Sequence, residues 1–353
     1  MGDVSPLWRL SLMVLCLIAN PAMSQEASQR FVAKDTTPST VLVVRSTTDI
    51  SIFAPALAAF VAANPSVEIA YEQWGSNALY ANSLAACEGT ATPADVVISS
   101  GVHQMVDLVN RACASAYQSE FTTQLPAARR WRDELWGITR EAAVIIYNTD
   151  LVSAEDAPRT RFALLDLMRR SSDDFMGKIA TYDVEASGLG FLFAFMDSQE
   201  ATTFGGLLEG FARVDAVATC CSAEIIEGVD SGRYKIAYNV LGSYVDTVPH
   251  ANLGVIYPED YTLFLSRAFM IPKGAHQGAT AGGFLDFLLS PRGRALLSQS
   301  TLIHDSNSDE TAANESATRY IPIGPTLLVA MDRHRRARFI EKWRDSFGVD
   351  AVK

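Results

Sequence analysis

The feature that most constrains the fold is the regular alternation of short apolar runs and amphipathic segments between residues 40 and 150. Residues 41–44 form a continuous apolar run, which is typical of a strand covered on both faces. Further strands are predicted at 67–71 and 95–99, and helices at 50–63, 77–87 and 103–111. This β-α alternation predicts an α/β fold with a parallel sheet, in which ligands bind beyond the carboxyl ends of the strands.

A second unit of the same kind follows in the sequence. Strands are predicted at 178–183 and 234–240, with helices at 187–197, 204–211 and 223–230 between them, and a helical tail at 283–289, 291–299 and 326–347. A length of 353 residues with 48% apolar residues is enough for two such units, each with its own core.

The first 24 residues have the pattern of a cleaved secretion signal. Arg9 precedes the apolar run 10–19, and Ala22-Met23-Ser24 follows as a small-x-small cleavage site. The run is too short to span a bilayer and lacks the polar face of an ordinary core helix. Because the bulky Leu15 precedes Cys16, we expect release into the periplasm and not a lipid anchor.

Export implies an oxidising compartment for the four remaining cysteines. Cys87 and Cys113 lie at the ends of successive predicted helices on either side of one strand, so we expect them to pair. Cys220 and Cys221 are adjacent, and we expect one buried thiol beside a spare, although three pairings of four cysteines stay open. The histidines are scattered and no CxxC occurs, so neither a metal site nor a cofactor is expected.

The charge balance limits the partners. The sequence has 29 Lys and Arg against 40 Asp and Glu, a formal charge of -11, which argues against a general electrostatic grip on nucleic acid or anionic lipid. Any bound anion must therefore be held locally. No GxSxG, HExxH or P-loop motif occurs, so we expect a protein without enzymatic activity.

Three loops at predicted strand ends offer polar groups at a helix start, where orphan backbone N–H groups and the helix dipole favour an anion. The alternative for each loop is an ordinary helix cap or turn. Arg140 could add a bidentate contact to a carboxylate or phosphate, or could simply pair with Glu141. The candidate ligand residues of the three loops are Ser46, Thr47, Thr48 and Asp49, then Ser99 and Ser100, then Ser187 and Gly188.

Five segments together resemble a known family. They are WGITREAAVIIYNTDLV (136–152), KIATYDVEASGLGFLF (178–193), SGRYKIAYNVLGSYV (231–245), FLSRAFMIPKGA (264–275) and YIPIGPTLLVAMDRHRRARFIEKW (320–343). In this order they resemble the extracellular solute-binding proteins of bacterial ABC importers, in the type 2 periplasmic branch that includes ferric-ion and phosphoglycerate binders. The likeness covers nearly the whole chain after the signal.

The resemblance implies two α/β lobes with a ligand cleft between them, joined by two crossing strands at about 143–148 and 264–271. The first lobe would then comprise 25–142 and 270–353, and the second 143–269. Related proteins place ligand contacts where Asn239, Ser243 and Tyr244 occur. Ferric binders present two adjacent tyrosines there, but this chain has Tyr244 alone, so iron is the less expected ligand.

These observations predict a monomeric periplasmic protein that closes on a small anionic metabolite and delivers it to an ABC permease. An alternative partner is a membrane sensor kinase, to which the protein would present ligand occupancy. A secreted hydrolase on the same fold is a further alternative, which predicts turnover of the ligand.

Overall fold

The computed structural model describes residues 25–34, 37–200, 202–247, 250–304 and 317–347, so the predicted secretion signal, residues 1–24, lies outside the described residues. Within these ranges, no helix combines the length and the apolar character needed to cross a lipid bilayer.

Strands and helices alternate along the described chain. The strands are β1 (Gln25–Phe31), β2 (Thr40–Ser46), β3 (Val67–Trp74), β4 (Val96–Ser99), β5 (Arg130–Trp131), β6 (Leu135–Gly137), β7 (Glu141–Asn148), β8 (Ile179–Tyr182), β9 (Val217–Thr219), β10 (Ile236–Leu241), β11 (Leu253–Ile256), β12 (Thr262–Leu265), β13 (Ala268–Met270) and β14 (Thr318–Tyr320). The helices are α1 (Ile50–Ala63), α2 (Ser76–Cys87), α3 (Val102–Asn110), α4 (Glu120–Thr123), α5 (Arg161–Arg170), α6 (Ser172–Phe175), α7 (Gly188–Glu200), α8 (Phe204–Arg213), α9 (Ser222–Asp230), α10 (Gly278–Leu289), α11 (Pro291–Gln299) and α12 (Arg333–Phe347).

The first sheet has the strand order β1-β3-β2-β4-β13-β6-β5. Its centre is parallel, because β2 pairs in parallel with both β3 and β4. The carboxyl ends of these three strands therefore meet at one edge, and α2, α1 and α3 begin directly beyond them. The alternation in the sequence predicted this unit, and the structure confirms it. We call this sheet and the helices packed on it the first lobe.

The second sheet has the order β14-β12-β7-β10-β8-β9, with β11 also paired to β7. Here β8 pairs in parallel with β10 and β9, so their carboxyl ends also share an edge. β7 is buried along its whole length and pairs antiparallel with β10, β11 and β12. We call this sheet and its helices the second lobe. Two sheets of this kind confirm the predicted two-lobed α/β fold.

The sheets divide the chain differently from the expected lobes. All of β7 lies in the second sheet and β13 lies in the first, so the chain crosses at residues 138–140 and returns at 266–267, not along 143–148 and 264–271. The tail, which was expected with the first lobe, is divided between the lobes, because α10 and α11 pack against α1 of the first lobe as expected but β14 and α12 do not. β14 pairs with β12, and Trp343 and Phe347 of α12 pack in the hydrophobic cluster of the second lobe.

The aromatic side of α12 explains its position. Phe339 stacks on Phe204 with ring centroids 5.9 Å apart, and Phe347 lies 5.6 Å from Phe211. Both partners are on α8 of the second lobe. The burial of these large rings stabilises α12 on the second lobe, although the helices that precede it in the sequence pack on the first.

Two disulfides are present among the described residues, one at the end of α2 and one before α9. Cys87 at the end of α2 is bonded to Cys113, with Cα atoms 5.2 Å apart, as the sequence predicted. Cys220 and Cys221 are bonded to each other immediately before α9, so the expected free thiols are not present at this position.

Candidate functional site

A cleft of about 280 Å³ lies between the two lobes at the carboxyl edges of both parallel strand sets. Its first wall belongs to the first lobe and its second wall to the second lobe. Arg267 lies at the crossing between them. The first wall consists of Glu26, Thr47, Asp49, Gln73, Trp74, Gly75, Ser76 and Ser100, and the second of Tyr182, Ser187, Leu189, Cys220, Cys221, Ser222, Ala223, Leu241 and Tyr244.

Helix beginnings dominate both walls. Among the described residues, five helices of nine or more residues start at the cleft, namely α1, α2 and α3 in the first wall and α7 and α9 in the second. The first N–H groups of each helix have no partner within the helix, and each start carries a partial positive charge. Five of them around one space create a local positive potential in a protein whose formal charge is -11.

Several of these amides already have partners. The N–H of Ser100 donates to Thr47 Oγ1 at 2.9 Å, and that of Gly190 donates to Ser187 Oγ at 3.0 Å. By contrast, the described residues provide no side-chain cap for α1, α2, α3 or α9. Glu26 and Asp49 line the first wall, whereas no described carboxylate lines the second, so the first turn of α9 is the uncapped helix start that is best placed to donate to an anion.

A buried ion pair fixes the base of the cleft. Arg267 Nε and Nη2 donate to the two carboxylate oxygens of Glu141 at 2.9 and 3.1 Å, and both side chains are at most 1% exposed. Arg267 Nη1 also donates to the Thr47 carbonyl at 3.2 Å and to Thr48 Oγ1 at 3.1 Å. Burial alone would lower the pKa of Arg267, but the Glu141 carboxylate more than offsets this, so the pKa lies above its ordinary value.

Tyr244 connects the second wall to the first. Its hydroxyl donates to Asp49 Oδ1 at 3.1 Å and to the Thr47 carbonyl at 3.3 Å. Burial raises the pKa of Asp49, although the Tyr244 hydrogen bond and the charge of Arg267 oppose this. A second phenol, Tyr182, shares a hydrogen bond of 2.6 Å with Ser222 Oγ at the start of α9, and burial raises the pKa of Tyr182 to about 12.

The rims of the two walls are in direct contact. Asn77 of α2 donates to the carbonyls of Glu185 and Ala186 at 2.7 and 3.0 Å, in the loop before α7. The N–H of Gly188 donates to Ser76 Oγ at 2.9 Å. The structure thus has the lobes touching around the cleft.

The predicted site residues fall into three groups. Five line the cleft, and five others are buried directly behind it, where they hold the loops in shape. Ser46 Oγ, for example, accepts from the Thr48 N–H, and Ser243 Oγ donates to Glu141. The lining residues are Thr47, Asp49, Ser100, Ser187 and Tyr244, and the supporting ones are Ser46, Thr48, Ser99, Gly188 and Ser243.

Two predicted residues lie away from the cleft. Arg140 points into a different cavity, where its guanidinium lies 5.2 Å from the Phe264 ring centroid. Alternation along β7 explains this, because Arg140 and Glu141 are neighbours and only Glu141 points toward Arg267. Asn239 is buried inside the second lobe, where its amide donates to Asp197 in a network with Arg161.

Other cleft residues were missed by the sequence analysis. Arg267 was the easiest to find, since a cation inside the apolar run 264–271 needs a buried partner. Ser222 and the disulfide before it had a weaker signal, because β9 has only three residues, all half-buried. Glu26 and Gln73 carried no signal in the sequence. Among the described residues, no group of three or more His, Cys, Asp or Glu is arranged to hold a metal ion.

Comparisons with known proteins agree with this architecture. A family model described as bacterial extracellular solute-binding protein matches residues 45–220. The comparison with curated proteins finds no match. A crystal structure of the substrate-binding protein of an ABC transporter from Agrobacterium tumefaciens is 28% identical, with a TM-score of 0.84 over 91% of this chain and 98% of that chain.

Two more distant structures share the fold. Iron-bound HitA from Pseudomonas aeruginosa is 16% identical, with a TM-score of 0.64 over 87% of this chain and 99% of that chain. AfuA from Actinobacillus pleuropneumoniae, a periplasmic binding protein with fructose-6-phosphate bound, is 17% identical, with a TM-score of 0.67 over 88% of this chain and 99% of that chain. Together with the two sheets and the cleft at their carboxyl edges, these matches show that the chain belongs to the extracellular solute-binding proteins of bacterial ABC transporters.

Proposed function

We propose that this protein captures a small anionic metabolite, an organic or phosphorylated acid, in the periplasm and delivers it to an ABC permease. The observation that carries the proposal is the convergence of five helix starts on one cleft, with Arg267 at its base. Such starts bind carboxylate and phosphate through their amides and the helix dipole. The sugar phosphate bound by AfuA is an example of such a ligand on this fold.

The cleft also restricts the rest of the ligand. Glu26 and Asp49 line the first wall, and their carboxylates accept hydrogen bonds but repel a second negative charge. We therefore propose a ligand with its acid group toward the second wall, where α9 begins, and hydroxyl or amino donors toward Asp49. A volume of about 280 Å³ favours a metabolite of a few carbons.

Ferric ion is the second candidate, because HitA, a protein of the same fold, is iron-bound. Fe³⁺ prefers anionic oxygen donors, and Tyr182 and Tyr244 are the phenols of this cleft. Burial raises the pKa of both, which opposes formation of the phenolates that iron would need. The environment of the two tyrosines therefore favours an organic anion over iron.

Capture requires no covalent chemistry in this proposal. A ligand that contacts both walls stabilises the form with touching lobes by the contacts that it gains only there. The permease would then recognise the closed form. No turnover of the ligand is expected.

The test is a thermal-shift and calorimetry screen of the chain from Gln25 onward. The panel comprises three-carbon phosphorylated acids, hydroxy and amino acids, dicarboxylates, sugar phosphates, neutral sugars and ferric citrate. An anion at 100 times its Kd should stabilise the protein by about 2.7 kcal/mol and be recovered unchanged. Stabilisation by neutral sugars alone, by ferric ion alone, or with conversion to product would contradict the proposal.

A variant connects the screen to the cleft. Ser187 lines the second wall, and Ser187→Ala should weaken binding of the identified anion without loss of the fold. Arg338→Gln, an exposed change on α12, serves as the matched control and should bind like the parent. Equal affinities for all three proteins would show that the ligand binds elsewhere.

A further inference from the structure

A second cavity, of about 350 Å³, lies on the other side of the crossing from the cleft. It is lined by Arg129 and Arg294 of the first lobe, by Arg140 of the crossing, and by Phe264 and Tyr320 of the second lobe. Ser266 lines this cavity, and the next residue, Arg267, lines the cleft. The two spaces are thus separated by one crossing segment.

The three arginines have no acidic partner among the described residues. None of them lies within 4.0 Å of a described carboxylate, whereas the buried Arg161 and Arg267 are each paired with one. The Nε atoms of Arg129 and Arg140 are buried without a hydrogen-bond partner. Arg129 is held by one hydrogen bond, from Nη2 to the Gly137 carbonyl at 2.6 Å.

Their charges are close enough to affect one another. Burial and, to a smaller extent, the positive charges of Arg294 and Arg140 together lower the pKa of Arg129 to about 10. Arg140 packs against two neighbouring aromatic rings, with its guanidinium 5.2 Å from the centroid of Phe264 and 5.5 Å from that of Tyr320. These rings orient the guanidinium but leave its charge uncompensated. Three cations around one cavity, without an acidic partner in the described ranges of the chain, are unexpected at a formal charge of -11.

We propose that this cavity is a second binding site, for a small organic or inorganic anion with at least two negative charges carried by carboxylate or phosphate groups. Guanidinium groups bind both group types through paired, charge-assisted hydrogen bonds, and the three arginines that line the cavity supply the donors. The anion would also relieve the repulsion among the three arginines. This inference is independent of the ligand proposed for the cleft.

The position of the cavity gives the site a consequence for the cleft. An anion there contacts Arg129 and Arg294 of the first lobe and Arg140 of the crossing, whose guanidinium packs on Phe264 and Tyr320 of the second lobe, so its binding depends on the relative position of the lobes. Occupancy of the second cavity therefore changes the affinity of the cleft, and the cleft ligand changes the affinity of the second cavity by the same factor.

The test uses pyrophosphate as a phosphate probe and citrate as a carboxylate probe. Each is titrated calorimetrically into the chain from Gln25 onward at low ionic strength. At least one probe should bind to the parent, and Arg294→Gln and Arg140→Gln should each weaken that binding tenfold or more. Arg140→Lys keeps the charge and should restore part of the affinity. Should Arg140→Gln fail to fold, the half-buried Arg294 on α11 still gives the result.

Two controls separate this site from others. Arg338→Gln removes an exposed arginine of α12 and should leave the affinity for the probe unchanged. Ala223→Asp places a negative charge in the cleft and should also leave it unchanged. The inference is overturned if neither probe binds to the parent, or if Arg338→Gln loses as much affinity as the cavity variants. It is also overturned if Ala223→Asp loses affinity for the probe while Arg294→Gln retains it.

Discussion

At the scale of single residues, the ion pair of Glu141 and Arg267 sets the geometry of the cleft. Glu141 accepts from Arg267, from Thr139 Oγ1 at 2.6 Å and from Ser243 Oγ at 2.5 Å, all in a buried environment. The desolvation of two charges makes such a pair a modest net contributor, but removal of one partner leaves an uncompensated buried charge. The main role of the pair is therefore to position the loop at Thr47, and its net contribution to stability is smaller.

Glu141→Gln should destabilise the protein strongly, since Arg267 would remain buried without a counter-charge. The expected loss is about 3–5 kcal/mol in the free energy of unfolding, measured by urea denaturation. As a comparison, Asp166→Asn breaks an exposed pair with Arg170 and should change the stability very little. A loss for Glu141→Gln as small as that for Asp166→Asn would show that the buried pair is dispensable.

His103 should make the protein sensitive to acid. The ring is fully buried, stacks on Phe191 of the other lobe with centroids 5.3 Å apart, and has no hydrogen-bond partner among the described residues. Burial, with a smaller contribution from the charge of Arg336, lowers the pKa of His103 to about 3. The unfolded chain protonates this histidine near pH 6.5, whereas the folded chain does not. The protein therefore has its full stability above pH 6.5, and protonation of the unfolded chain reduces that stability progressively as the pH falls from 6.5 toward 3.

The size of this effect can be measured with a variant. At pH 5 the loss relative to pH 7 should be about 2 kcal/mol for the parent, and His103→Phe should remove that difference. The measurement is urea denaturation of both proteins at the two pH values. His276→Gln, a change at an exposed histidine, should keep the pH dependence of the parent. The same pH dependence in His103→Phe as in the parent would assign the acid sensitivity to other groups.

At the scale of elements, the sequence predicted the walls of the cleft better than its base. The strands β2 and β4 are continuous apolar runs followed by helix-start residues, so the loops carrying Thr47 and Ser100 could be predicted locally. Arg267 could not be assigned in this way, because its partner is 126 residues away and only the folded chain brings them together. The same limit applies to α12, whose aromatic side chains find their partners in the second lobe.

The start of α9 offers a test of the role of helix termini. Ala223 is exposed in its first turn and lines the cleft, and a carboxylate at this position is favourable for the helix itself. Ala223→Asp should therefore keep the thermal stability of the parent. It should weaken binding of the anion in the cleft tenfold or more, because like charges repel. Ala223→Asn, of equal size and without the charge, should weaken it much less. Equal effects of the two variants in calorimetry would indicate a steric cause and not the proposed electrostatic one.

At the scale of the whole molecule, the contact between the lobes determines how much ligand is captured. Asn77 bridges the rims by donating to the Glu185 and Ala186 carbonyls, so Asn77→Ala removes direct hydrogen bonds between the lobes. Without ligand, we expect this variant to have a larger radius of gyration in small-angle X-ray scattering. Its apparent affinity for the ligand should fall by the same factor as the population of the closed form. Saturating ligand should restore the compact radius, because the intrinsic contacts of the cleft are unchanged.

Asn110→Ala, at the exposed end of α3, should match the parent in both measurements. If Asn77→Ala keeps both the radius and the affinity of the parent, the rim hydrogen bonds do not control closure, and the lobes are held together by the hydrophobic cluster that they share across α3 and α7.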